Sequence, residues 1–245
     1  MTNIDPNARG GKRRYIDSTE PEEYIPAVGK VCLSDASLRG LADLFGSDKG
    51  SIKHNYCEHY TALVSKILRD KAESQITIGE LGVACGASLR MWAHHLPRAK
   101  VIGFDIRQAC KSLCRDLRNV EIIIGDGTQF STFLDKEFDL FIDDGSHVSE
   151  HIVKTFSLVW AKIRPGGFYV VEDLSCTYNE AYKDQLRKNL GIKTENERST
   201  FINFVDTLLK AIDSKGNSVR SIQYHPQMLI IEKLNLHGVE QYPHS

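Results

Sequence analysis

The most constraining feature of this chain is a rhythm that begins at residue 76, where short apolar runs alternate with stretches whose apolar residues recur at helical spacing. A strand buried on both faces loses the in-out alternation of a half-exposed one. Apolar runs separated by helices therefore specify a parallel sheet covered on both sides. The spacing places strands at 76–81, 101–105, 120–124, 138–142, 168–172, 219–224 and 228–233. Only His225-Pro226-Gln227 separates the last two, too little for a crossover helix, so they form an antiparallel pair. The expectation is a doubly wound α/β sheet of seven strands that closes in an antiparallel carboxy-terminal hairpin.

Ahead of the sheet, Leu38, Leu41, Ala42 and Phe45, then Leu63, Val64, Ile67 and Leu68, predict two helices. They define an amino-terminal helical cap over 31–72, before a main domain over 73–245. Residues 1–30 mix Gly10-Gly11, the basic Lys12-Arg13-Arg14 and the acidic Glu20-Pro21-Glu22-Glu23, and read as a flexible, solvated arm. The polar stretch 178–197 fits no element. A net charge of −1 gives no field that recommends nucleic acid as a partner, so a small-molecule acceptor is expected. No run reaches the roughly 20 apolar residues of a membrane span, and the first residues lack the apolar segment of a signal peptide, so a cytoplasmic protein is expected. Homo-oligomerisation stays open. Six cysteines without a CxxC read as free, buried thiols rather than a zinc site.

Ligands of a parallel doubly wound sheet collect outside the carboxyl ends of its strands. After the first strand comes Glu80-Leu81-Gly82-Val83-Ala84-Cys85-Gly86, leading into a helix near Ser88. Gly82 and Gly86 allow a sharp turn and close approach to a ligand. Asp105, followed by Ile106, ends the second strand, where a carboxylate can accept both hydroxyls of a ribose. The third strand runs into Gly125-Asp126-Gly127-Thr128-Gln129, where Asp126 can accept an adenine amino group. A full GxGxxG is absent, and a cofactor without a pyrophosphate needs no anion hole. Glu80, Gly82, Gly86, Ser88, Asp105, Ile106, Asp126, Gly127, Thr128, Gln129 and, on the fourth strand, Asp143 make up the expected cofactor set.

The fourth strand ends in Asp143-Asp144-Gly145-Ser146-His147, with His151 a turn later, and the fifth in Glu172-Asp173. So many adjacent carboxylates repel one another and raise their own pKa values, which a divalent cation would relieve. Hard oxygen donors suit Mg²⁺, with Mn²⁺ or Ca²⁺ as replacements. Such a cation lowers the pKa of an acceptor alcohol and fixes its oxygen, while His147 takes the proton.

These elements in order resemble the first motifs of the class I, Rossmann-like S-adenosylmethionine methyltransferases. With Gly46-Ser47-Asp48-Lys49-Gly50, His59-Tyr60 and Ser88-Leu89-Arg90-Met91-Trp92 added, roughly residues 40–175 resemble the metal-dependent sugar O-methyltransferases of macrolide biosynthesis, the mycinamicin 2''-O-methyltransferase group in particular. The resemblance implies S-adenosylmethionine as methyl donor, a sugar or glycoside as acceptor, Mg²⁺ on Asp144, Glu172 and Asp173, and His147 as base, with Asp144 and His147 the catalytic pair. It also implies that the Ser47–Gly50 segment lies near the cleft. A metal-independent methyltransferase, in which the carboxylates only bind acceptor hydroxyls, and a non-catalytic cofactor-binding module are the other readings; mere cofactor binding needs neither His147 nor Glu172-Asp173. His54, His59 and Tyr60 could close over the acceptor, with a core anchor the plainer reading of Tyr60. Trp92 reads as a packing residue, His94-His95 as helix surface, and Ile163-Arg164-Pro165-Gly166-Gly167 as the tight turn ending a helix.

Overall fold

The computed structural model describes residues 37–182, 184, 198–214 and 218–235. The expected arm over 1–30 and most of 178–197 lie outside them. Helices α1 (Leu38–Phe45) and α2 (Cys57–Asp70) come first. There follow β1 (Thr77–Leu81), α3 (Ala87–His95), β2 (Lys100–Asp105), β3 (Val120–Ile124), β4 (Phe138–Asp143), α4 (Ser149–Val159) and β5 (Ile163–Val171). Helix α5 (Arg198–Asp213) and the hairpin β6 (Val219–His225) and β7 (Met228–Lys233) complete the elements among the described residues. The sheet order is β3-β2-β1-β4-β5-β7-β6, with β1 to β5 parallel and β7 antiparallel to both its neighbours. The expected doubly wound sheet with a terminal hairpin is therefore present. Because β2 and β4 lie on opposite sides of β1, a crevice opens at the carboxyl tips of β1 and β4.

One segment departs from the expectation. Residues 163–167 are not a helix-ending turn but the start of β5. Ile163 pairs with Phe138, the register then shifts before Phe168 pairs with Leu140, and Gly166 sits at φ +76°. An extra length of strand is absorbed at the shift, which glycines tolerate where a β-branched residue would not.

The period of two along the strands decides what the site can contain. On β4 and β5, Leu140, Ile142, Phe168 and Val170 join the core built with α1, α2 and α3. Their alternates Phe141, Tyr169 and Val171 join the opposite core, where Phe104, Phe133 and Phe138 pack with α4 and α5. Each fully buried ring in that cluster contributes roughly 2–3 kcal/mol. Continuing the alternation, Asp144 and Glu172 belong to the face under the cap helices, and Asp143 to the other. No helix among the described residues is long and apolar enough to cross a membrane.

Candidate active site

The turn after β1 passes through three left-handed residues, Gly82 (φ 96°), Ala84 (φ 50°) and Gly86 (φ 81°). A Cβ on Gly82 would lie 2.0 Å from the Asp144 carbonyl oxygen, so only glycine lets the β1 and β4 tips close on each other here. The Asp144 N–H donates to Leu81 O across the same junction (3.0 Å). Glu80 faces inward: it accepts from the Ser88 hydroxyl and from Trp92 Nε1 (3.1 Å), tying β1 to the first turns of α3. Burial lifts Glu80 above the usual carboxylate range against the pull of nearby Lys49.

Asp105 accepts four hydrogen bonds, from Val83 N (3.0 Å), Arg107 N (2.8 Å), Arg107 Nε (3.2 Å) and Arg107 Nη2 (3.2 Å). Burial works to raise its pKa, but the Arg107 bonds outweigh burial and leave it lowered. Beside it Ile106 stands 66% exposed, a large apolar side chain beside the crevice. Asp126 accepts from Thr128 N and Thr128 Oγ1, both at 2.8 Å, which shapes the turn that brings Gly127 over Leu81. Gln129 is exposed. Asp143 turns away from this group, as its strand parity requires. It accepts from the Tyr169 hydroxyl (2.7 Å) on the opposite face, and burial pushes its carboxyl up to about 6.

At the acceptor end, Asp144, His147 and Asp173 each offer a ligand atom within 4.8 Å of the others. His147 Nε2 lies 3.9 Å from Asp144 Oδ1. His147 and Asp173 both hold φ 54°, which costs roughly 1–3 kcal/mol each and aims their side chains off the ends of regular elements. Two hard carboxylates suit a small divalent cation with positions left for water or a hydroxyl, and the imidazole stands beside them.

Glu172 is placed differently from the carboxylates at its side. Its Oε2 accepts from Lys49 Nζ (2.6 Å) and its Oε1 from the Tyr60 hydroxyl, and it is 1% exposed. Lys49 also donates to Asp144 Oδ2 (2.7 Å) and lies 3.7 Å from Glu80. Burial alone would depress this ammonium, but Asp144, Glu172 and Glu80 outweigh burial and hold it well above the ordinary lysine value. Tyr56 donates to Asp173 Oδ1 (2.9 Å), and His54 Nε2 lies 3.6 Å from the same oxygen.

Local structure delivers Lys49. Ser37 caps α1 by accepting from Gly40 N, and left-handed Gly46 ends it. Backbone bonds from His54 N to Asp48 O, Asn55 N to Gly50 O and Cys57 N to Lys49 O then coil the loop. Gly50 leaves room for the Asp43 carboxylate, which accepts from Ser51 N (2.7 Å) and Ser51 Oγ (2.6 Å). Of the other residues singled out in the sequence, His59 stacks on His225 at 3.9 Å, away from the carboxylates. His94 stacks on Phe45, and buried Trp92 meets Tyr60 edge-on. Tyr56 drew no attention in the sequence, and Lys49 did so only through a motif. Strand parity was the available signal: it separates Asp143 from Asp144 and leaves Glu80, Asp144 and Glu172 on one face, needing a counter-charge.

A family profile described as "Methyltransferase domain" matches residues 80–174, the segment from the β1 tip to just past Asp173. The fold, its glycine turn and this match agree. Residues 80–174 carry a methyltransferase domain, and the chain has the class I methyltransferase fold. Among curated relatives of this methyltransferase is 8-demethyl-8-alpha-L-rhamnosyl tetracenomycin-C 2'-O-methyltransferase of Streptomyces olivaceus, 33% identical over 90% of this chain and 61% of the relative. Another is the mycinamicin VI 2''-O-methyltransferase of Micromonospora griseorubida, 30% identical over 73% of this chain and 50% of the relative. The chain thus spans about half to three-fifths of these relatives. A methyltransferase from the mycinamycin biosynthetic pathway, solved in complex with Mg and SAH, superposes with a TM-score of 0.66 at 24% identity. That superposition covers 82% of this chain and 55% of the other.

Proposed function

We propose that this protein transfers the methyl group of S-adenosylmethionine to a hydroxyl oxygen of a sugar or another small polar metabolite, with a divalent cation beside the acceptor. What carries the reading is the convergence of Asp144, His147 and Asp173 on one point at the β4 and β5 tips, next to the Gly82 turn. The relatives support the acceptor class, since both are named as O-methyltransferases, one of a rhamnosyl compound and one of mycinamicin VI.

The chain's residues divide the work. The Gly82–Gly86 turn and the Asp126–Gln129 turn frame the donor, with Ile106 against its adenine. Asp105 gives its carboxylate to the ribose once Arg107 yields it. S-adenosylmethionine, when bound, presents an electrophilic methyl on a positively charged sulfur. Asp144 and Asp173 would hold the cation, with Glu172 supporting them through Lys49. That ion, when bound, would lower the pKa of an acceptor hydroxyl and fix its oxygen. His147 takes the hydroxyl proton as the new oxygen–carbon bond forms and the carbon–sulfur bond breaks, leaving a neutral thioether. General-base help of this kind contributes about 10²–10⁴ in rate.

Lys49 favours a second reading. It already supplies positive charge to the carboxylates, so Asp144 and Asp173 could serve only as acceptors of substrate hydroxyls, without metal. Calorimetry with S-adenosylhomocysteine tests the donor site, and a glycoside panel assayed before and after EDTA and desalting tests the rest. Turnover that survives chelation unchanged removes the metal; absence of S-adenosylhomocysteine binding removes the methyl-transfer reading.

A further inference from the structure

Lys49 is the least expected group in the site. A lysine 1% exposed is rare, because its ammonium gives up hydration that only close, well-aimed anions return. Here they are close: Glu172 at 2.6 Å, Asp144 at 2.7 Å and Glu80 at 3.7 Å. Glu172 is further held by the Tyr60 hydroxyl. Besides taking up protons, a cluster of this kind can escape its own repulsion by recruiting a cation from solution or by carrying one. This chain carries one.

We propose that Lys49 is a built-in counter-ion that assembles the acidic cluster before any metal arrives and weakens the affinity of the Asp144 and Asp173 site, beside His147, for a divalent cation. The inference rests on the metal reading above and concerns how the protein tunes that site. Lys49 donates to Asp144 Oδ2, an oxygen of one of the candidate ligands, so a divalent ion on Asp144 would face an ammonium across a single carboxylate. Lys49 is 1% exposed and Asp144 20%, and solvent ions screen so buried a charge poorly. Lys49 is a positioning residue: it acts through Asp144 and Glu172 and touches no reacting atom. The consequence is a site ready in the metal-free protein and an ion that exchanges easily.

The test is Mn²⁺ binding, followed by calorimetry and electron paramagnetic resonance, together with thermal unfolding of the metal-free and metal-loaded protein. Lys49→Met should bind Mn²⁺ about tenfold or more tightly than the wild type, since the repulsion is gone and two carboxylates are released. Its unfolding temperature should fall without metal and recover with it, whereas the wild type should respond little. Lys49→Arg, which keeps the charge, should not tighten binding. Mere structural damage would loosen the site, so tightening is diagnostic. Wild-type binding with Lys49→Met equal or weaker overturns the counter-ion and leaves the metal reading standing; Mn²⁺ binding by neither protein overturns both. If Lys49→Met does not fold with or without metal, Lys49→Met/Glu172→Gln removes the pair together. Folding of that variant without added metal supports the proposal, and failure to fold overturns it.

Discussion

The two halves of the crevice are built on different principles. On the side of β1, β2 and β3, the acidic residues are held mostly by neighbours in sequence: Asp105 by Arg107, Asp126 by Thr128, Glu80 by Ser88 and Trp92, with Lys49 reaching Glu80 at 3.7 Å. On the side of β4 and β5, the partners come from the amino-terminal cap. Lys49 lies 95 residues from Asp144 and 123 from Glu172, Tyr60 lies 112 from Glu172, and Tyr56 lies 117 from Asp173. The half that the proposal gives to the donor is built mainly from local turns, while the half that it gives to the acceptor exists only once α1, α2 and their loop have docked.

That contrast can be broken most directly at Asp144. Asp144→Asn should reduce turnover roughly a thousandfold or more while leaving S-adenosylhomocysteine affinity within a few-fold, because the donor turns do not depend on its charge. Loss of both together would show that the halves are one unit. His147→Ala should lower kcat by about 10²–10³ with donor affinity again unchanged; a full rate removes it as the base. Where the halves meet, Gly82→Ala places a methyl against the Asp144 carbonyl in a left-handed backbone. It should cost about 2–4 kcal/mol in chemical denaturation and weaken both donor binding and turnover.

Tyr60→Phe removes one of the long-range bonds to buried Glu172 and should cost about 1–2 kcal/mol without altering donor affinity. The smallest effect is expected in the donor half. Arg107→Ala frees the Asp105 carboxylate for a ribose and should tighten S-adenosylhomocysteine binding a few-fold by calorimetry. Weaker binding would show that Arg107 belongs to the donor site rather than competing with it.

Much of this molecule was legible in the chain. The seven strands lie where apolar runs placed them, within a residue or two except at the start of β5, because a run buried on both faces has few alternatives. The β5 start was missed because Arg164-Pro165-Gly166-Gly167 reads locally as a turn, and only the register shift against β4 makes it strand. The glycine turn and the acidic strand tips were legible for the same local reason, and so was their gathering at one sheet edge.

The sequence by itself determined the sheet and the edge at which the carboxylates collect, whereas the strand register set Glu80, Asp144 and Glu172 on one face and Asp143 with Tyr169 on the other. Only the tertiary structure decided what neutralises them. Alternation along a strand is a property of neighbouring residues, but which cation meets Glu172 depends on how a loop more than a hundred residues away folds back across the sheet. No spacing in the chain encodes that distance.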